Sequence, residues 1–211
     1  IQLNQVSGEM YVCTDATAGE NVWVNVGGGK GDYGKAFGGL GGGTISGYTA
    51  GGYPSAINTI DKFSFTSDGD ATDVGNLTDG RWGPVGNQSS TFGYASGGNV
   101  VTDRIDKYAY ASNGDATDVG NLTLGRYYSS GQSSSTHGYV SGGTTTSTNI
   151  IDKFTFVSDA DATFVGQLSN APYGLSGQSS VTYGYASGGE LSGSVYITTI
   201  DKFSFGVRVS I

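Results

Sequence analysis

The side chains best suited to chemistry in this sequence are aspartates, arginines and aromatic rings, and they come in sets spaced about 45 residues apart. One set is Arg81-Trp82, Arg126-Tyr127-Tyr128 and Pro172-Tyr173. Rings of this kind stack on the apolar face of a sugar while Arg and Asp take its hydroxyls, because a ring buries much apolar area at little entropic cost. A second reading stays open: an aromatic at equivalent positions of successive copies also suits packing between neighbours. Another set is Asp68-Gly69-Asp70, Asp115 with Asp118, and Asp159 with Asp161. Alternate oxygens suit calcium, but the late bidentate Glu of such a loop is missing, so Asp bonding its own turn backbone is the expected role. No metal site and no cofactor are assigned.

Catalysis finds little to work with. His137 is the single histidine and Cys13 the single cysteine, which excludes a three-histidine metal site and paired acid-base histidines. Aspartates for glycoside hydrolysis are plentiful, yet nothing marks two of them as a pair. Gly29, Gly31 and Gly34 match a dinucleotide-binding spacing, but no helical pattern follows them. The chain is read as no enzyme.

What positions these groups is a repeat. Gly-Tyr starts at Gly47, Gly93, Gly138 and Gly184 lie 46, 45 and 46 residues apart. Asp68 to Thr78 and Asn113 to Thr123 differ at one position only, so the copies are internal duplications. In the second copy four strands are expected, near Val85 to Ser90, Thr91 to Ser96, Asp103 to Ala111 and Ala116 to Leu122. Ile105, Lys107 and Ala109 alternate with Asp106, Tyr108 and Tyr110 at the period of two that a strand requires. Gly-Gly closes the second strand of every copy, as at Gly51-Gly52 and Gly97-Gly98, where a Cβ would forbid the backbone angles or a close approach. The Asp of each Asp-Lys pair is read as a structural hydrogen-bond acceptor, and the Lys as solvated or bridging to a neighbouring acid.

Composition agrees with an all-β class. Thirty-eight glycines in 211 residues oppose helices, and no helix-length amphipathic pattern occurs. A net charge of −8 repels phosphate backbones and acidic membrane surfaces, which argues against nucleic-acid partners. No apolar run approaches the roughly 20 residues of a membrane helix. Ile1 is not a Met, so the chain reads as a processed product or the distal part of something longer. Residues 1 to 36 form a connector, with a hairpin over Glu9 to Val26 turning at Thr17 to Glu20 and then a glycine-rich joint. Residues 37 to 211 form the repeat domain, and Gly206 to Ile211 could supply its last short strand.

The Gly-Gly strand end, the loop of variable length and the apolar-Asp pairs Ile60-Asp61, Ile105-Asp106, Ile151-Asp152 and Ile200-Asp201 resemble the kelch repeat over residues 44 to 205. Kelch copies usually carry Tyr-Asp, and a later Trp where this chain has Val74, Val119 and Val165. The resemblance implies one four-stranded blade per copy, hence a small β-propeller of about four blades after an N-terminal hairpin connector. More narrowly, IDKFSF, SDGDATDVGNLT and GQSSSTHGY after MYVCTDATAGENVWVNVGGG resemble kelch-type regions of bacteriophage tail fibres. That resemblance implies a virion structural protein on an extracellular particle, with the N-terminal segment meeting other virion proteins. It also implies a multimer, a homotrimer being the expected form.

On a propeller the loops after the second strands and the loops between blades share one face. Host-surface glycan would then meet Tyr53, Arg81 and Trp82, then Arg126, Tyr127 and Tyr128, and finally Tyr173 and Tyr196. Alternatives at this stage are a fibre or decoration protein with no ligand, and a glycan-degrading depolymerase.

Overall fold

The computed structural model describes residues 2–3, 10–15, 22–27, 45–53, 55–99, 102–144 and 148–206. The chain divides into two compact units, Ile1–Tyr33 and Gly34–Ile211. Residues 28–44 and 207–211 lie outside the described residues, and on them fall most of the expected glycine-rich joint and the short last strand. The first unit contains a three-stranded antiparallel sheet of β1 (Gln2–Leu3), β2 (Met10–Asp15) and β3 (Val22–Gly27), with β2 in the middle. In the β2–β3 pair Val12 stands opposite Val24 and Cys13 opposite Trp23.

The second unit is four successive antiparallel sheets. The first holds β4 (Ser46–Gly52), β5 (Ile57–Ser64) and β6 (Thr72–Asn76). The second holds β7 (Val85–Gln88), β8 (Phe92–Ser96), β9 (Arg104–Ala109) and β10 (Thr117–Asn121), each within a few residues of its expected span. The third repeats this order with β11 (Ser130–Ser133), β12 (His137–Ser141), β13 (Ile150–Thr155) and β14 (Thr163–Gln167). The fourth has β15 (Ser176–Ser179) and β16 (Tyr183–Ser187), then a small hairpin of β17 (Glu190–Leu191) and β18 (Val195–Tyr196), then β19 (Ile200–Ser204) beside β16. No helix occurs among the described residues, so the fold is all-β.

A single sheet of this width cannot bury both faces, so each leans on the next. One face of a sheet offers a tyrosine from the second strand of its copy, and the opposing face of the following sheet offers two rings, one in its third strand and one just past that strand's end. Tyr48 stacks on Tyr110 and tilts against Tyr108, Tyr94 meets Phe154 and Phe156, and Tyr139 meets Phe203 and Phe205. Ile60, Ile105 and Ile151 join these three cores. Tyr139 donates its hydroxyl to the Phe205 carbonyl at 3.0 Å, whereas the buried hydroxyls of Tyr108 and Tyr110 have no partner among the described residues.

Each core is bordered by a carboxylate. Asp106, sealed from solvent, accepts from the Thr78 amide at 2.9 Å and the Thr78 hydroxyl at 2.7 Å, and Arg81 Nη2 lies 2.7 Å from its Oδ2. One repeat on, Asp152 accepts from the Thr123 amide at 3.0 Å and hydroxyl at 2.7 Å and pairs with Arg126 Nη1 at 3.0 Å. Both guanidinium groups also donate to the strand they cross, at the Ala95 and Val140 carbonyls. Burial pulls both arginine pKa values down and the facing aspartate pushes them back up. The repeated Asp is thus a structural acceptor, and Lys107 bridges to Asp159 of the following sheet at 2.6 Å.

The acidic turns differ from expectation. Asp118 accepts from Gly120 across the bulge of its own strand β10, but Asp115 and Asp161 accept from the amide and side chain of Asn76 and Asn121 in the preceding sheet. Gly75 and Gly120 lack a side chain because the turn of the following sheet crosses over them: a Cβ there would fall on the carbonyl of Gly114 or Ala160.

Removing one partner of a sealed ion pair costs far more than removing an exposed one. Arg126→Met should lower unfolding free energy in urea by about 3 kcal/mol. By contrast Arg104→Met, which cuts the exposed contacts of Arg104 to Asp79 and Asp118, should cost under about 1 kcal/mol. A second prediction concerns pH. Burial and then Lys153 hold the His137 imidazole below its ordinary pKa, so protonation favours the unfolded chain. That contribution is complete above the unfolded pKa and is lost as pH falls through the folded one. His137→Phe, matching Phe92 of the sister copy, should flatten the decline of the urea midpoint between pH 7 and pH 5.

Candidate functional site

The connectors between sheets are threaded over the ends of the second strands, and this makes one loop face. Gly52 donates to the Arg81 carbonyl at 3.0 Å, Gly98 to that of Arg126 at 2.9 Å and Gly143 to that of Pro172 at 2.9 Å. The residue before each donor, Gly51, Gly97 or Gly142, has φ between +63° and +71°, and a Cβ on it would meet the same carbonyl. Both the left-handed backbone and the close crossing therefore require glycine. Successive connectors also bond one another, Tyr128 donating to Gly83 and Gly174 to Tyr128.

On this face four rings form a continuous cluster. Tyr53 meets Trp82 edge-on at 5.8 Å, Trp82 meets Tyr127 at 5.2 Å and Tyr128 at 5.3 Å, and Tyr127 and Tyr128 are 5.0 Å apart. Trp82 and Tyr127 are half-buried, which anchors them, while Tyr53 and Tyr128 keep 78% and 44% of their surface in water. Tyr128 has φ +55°, and the sister positions with the same backbone are Gly83 and Gly174 at +67° and +64°. A bulky residue in that region costs on the order of 1 kcal/mol and persists only where its surroundings impose it.

A second group stands at the fourth sheet. The backbones of Tyr173 and Glu190 exchange hydrogen bonds of 2.9 and 3.0 Å, and Glu190 is the strand partner of Tyr196. Hydrogen bonding to the Glu190 carboxylate, then burial and the charges nearby, raise the Tyr173 phenol pKa. Arg104, 3.0 Å from Asp118 and in contact with Asp79, adds a partly exposed cation where the second and third strands of its sheet are joined.

The eight residues expected to meet ligand thus divide. Tyr53, Trp82, Tyr127 and Tyr128 come together, and Tyr173 and Tyr196 stand beside Glu190. Arg81 and Arg126 are corrections: each is 1% exposed, turned inward onto an aspartate of the following sheet, and cannot reach a ligand. The guanidinium turns inward while the ring beside it, Trp82 or Tyr127, is only half-buried and keeps part of its surface in water. Glu190 was not singled out from the sequence as a ligand contact, since only the folded chain joins it to Tyr173. Among the described residues no three His, Cys, Asp or Glu side chains group to hold a metal ion.

No protein-family model matches this chain, and no curated protein matches it.

The Gly-Gly geometry carries its own test. Gly97→Ala places a methyl on the Arg126 carbonyl at φ +63° and should cost more than about 1 kcal/mol of unfolding free energy. Gly166→Ala, where the backbone is not left-handed and a Cβ would meet nothing nearer than Ile151 at 3.9 Å, should cost less in the same urea titration.

Proposed function

We propose that this chain is a module of a bacteriophage tail fibre or spike that binds a host-surface glycan through the loop face. On this reading the four sheets are kelch-like blades succeeding one another in a propeller-type arrangement, and residues 1 to 36 connect them to other virion proteins. The protein acts by adhesion, without catalysis or cofactor, on an extracellular particle, and multimeric display, as in a homotrimer, multiplies weak single contacts.

The observation that carries the reading is Tyr128. Two sister copies place glycine in that backbone, while this one holds a half-exposed ring in a strained conformation, tilted against Trp82 and Tyr127. Breaking a local rule to keep a ring in water is the mark of a binding position. Rings packed edge to face leave apolar faces for the C–H side of a pyranose. Glu190, beside Tyr173 and Tyr196, supplies a charged acceptor for its hydroxyls.

Tyr128→Gly separates adhesion from packing. It relieves the left-handed strain and should leave the urea midpoint unchanged or raised, while weakening binding on a glycan array at least ten-fold. Trp82→Ala should weaken binding to the same glycans. Absence of any array signal from the intact chain, with Tyr128→Gly only losing stability, would instead mean a purely structural fibre protein. Release of reducing ends from host polysaccharide would replace adhesion by a depolymerase.

A further inference from the structure

The three internal junctions share one apolar pattern, and among the described residues the two outermost faces of the sheet series carry the two halves of that pattern. At each internal junction the trailing face of one sheet presents a tyrosine from its second strand and an isoleucine from its third. Tyr48, Tyr94 and Tyr139 are buried there, and so are Ile60, Ile105 and Ile151, at 1%, 0% and 3% exposure. The leading face of the next sheet presents two rings, a small apolar residue from its second strand (Ala95, Val140 or Ala186) and, in the second and third sheets, an alanine after the acidic turn.

The fourth sheet carries the same trailing face, with no cover among the described residues. Ile200, sister of Ile105, is 68% exposed, Tyr185 is only half-buried, and Tyr185 makes no ring contact among the described residues. The first sheet carries the matching leading face. Phe65, sister of Tyr110, is 56% exposed, Thr49 and Ala71 are exposed where Ala95 and Ala116 are buried, and among the rings of the described residues Phe63 and Phe65 contact only each other. Charge agrees. Lys202 is exposed on the trailing face, and Asp68 stands at the sister position of Asp159, the acid that takes Lys107.

We propose that the trailing face of the fourth sheet docks on the leading face of the first sheet of a second copy of this chain, head to tail. Tyr185 enters between Phe63 and Phe65 as Tyr94 enters between Phe154 and Phe156, Ile200 is covered, and Lys202 reaches Asp68. The occupant is identified by the internal junctions, which show this pair of surfaces fitting three times. Such a contact joins two different patches, so it propagates into a filament or closes into a ring of copies. The inference rests on sheet packing and stands apart from glycan recognition.

The test uses the whole chain. Sedimentation velocity across a hundred-fold concentration range should show species larger than the monomer. Ile200→Asp and Phe65→Asp, both at exposed positions and with unchanged circular dichroism spectra, should each be monomeric. Ile200→Asp retains an intact leading face and Phe65→Asp an intact trailing face, so a one-to-one mixture should form a dimer that grows no further. Three results overturn the proposal: an intact chain that stays monomeric at every concentration, an oligomer that persists in both variants, or a mixture that stays monomeric. Among these, a monomer destabilised by either variant would mean that the two faces meet within one chain.

Discussion

A carboxylate without water is the constraint on which the sheet series depends. Moving an ionised group out of water costs several kcal/mol even after relaxation, and only a full set of well-placed donors offsets it. Asp106 and Asp152 each receive a backbone amide, a hydroxyl and a guanidinium, all from the connector that precedes their sheet. Apolar faces alone would tolerate sliding, since burial has no direction. Three donors converging on one carboxyl tolerate no sliding, so the ion pair sets how far each sheet is turned and shifted against its neighbour.

The loop face inherits this precision. Because Arg81 and Arg126 are held inward, the rings next to them in the chain, Trp82 and Tyr127, start from backbones that cannot wander. The glycine pairs add the second restraint, letting the connector backbone sit directly on the strand ends. Tyr128 then occupies a conformation its type disfavours, held there by hydrogen bonds to the connectors on both sides. A rigid scaffold thereby carries one locally strained group on its surface, a common arrangement for binding positions.

Much of the fold was legible in the sequence because it depends on local rules repeated several times. Strand alternation around Ile105-Asp106-Lys107, the glycine pairs and the copy length all follow from neighbours in the chain. The partner of Asp106 was not legible, since Thr78 and Arg81 lie 25 or more residues away and only packing joins them. The same limit misread Arg81 and Arg126: an arginine beside an aromatic looks like a sugar-binding pair until the direction of each side chain is known. Asp115 was read as serving its own turn because Asp-rich turns usually do, whereas Asn76 of the preceding sheet claims it. For the rings, residue type pointed to their importance but could not separate the half-buried Trp82 from the exposed Tyr53.

The junction before the fourth sheet departs from the other two, and the departure has a kinetic side. Proline stands at 172 where the sister copies hold arginine, and Ser169 replaces threonine, so Asp201 accepts from a serine alone and stays partly wet. In a linear series each unit is held by its nearest neighbours, so the weakest seam decides where opening begins. The fourth sheet should therefore be the fraying end of the isolated repeat unit, opening in native conditions before the first three sheets and exchanging its amide hydrogens sooner than they do.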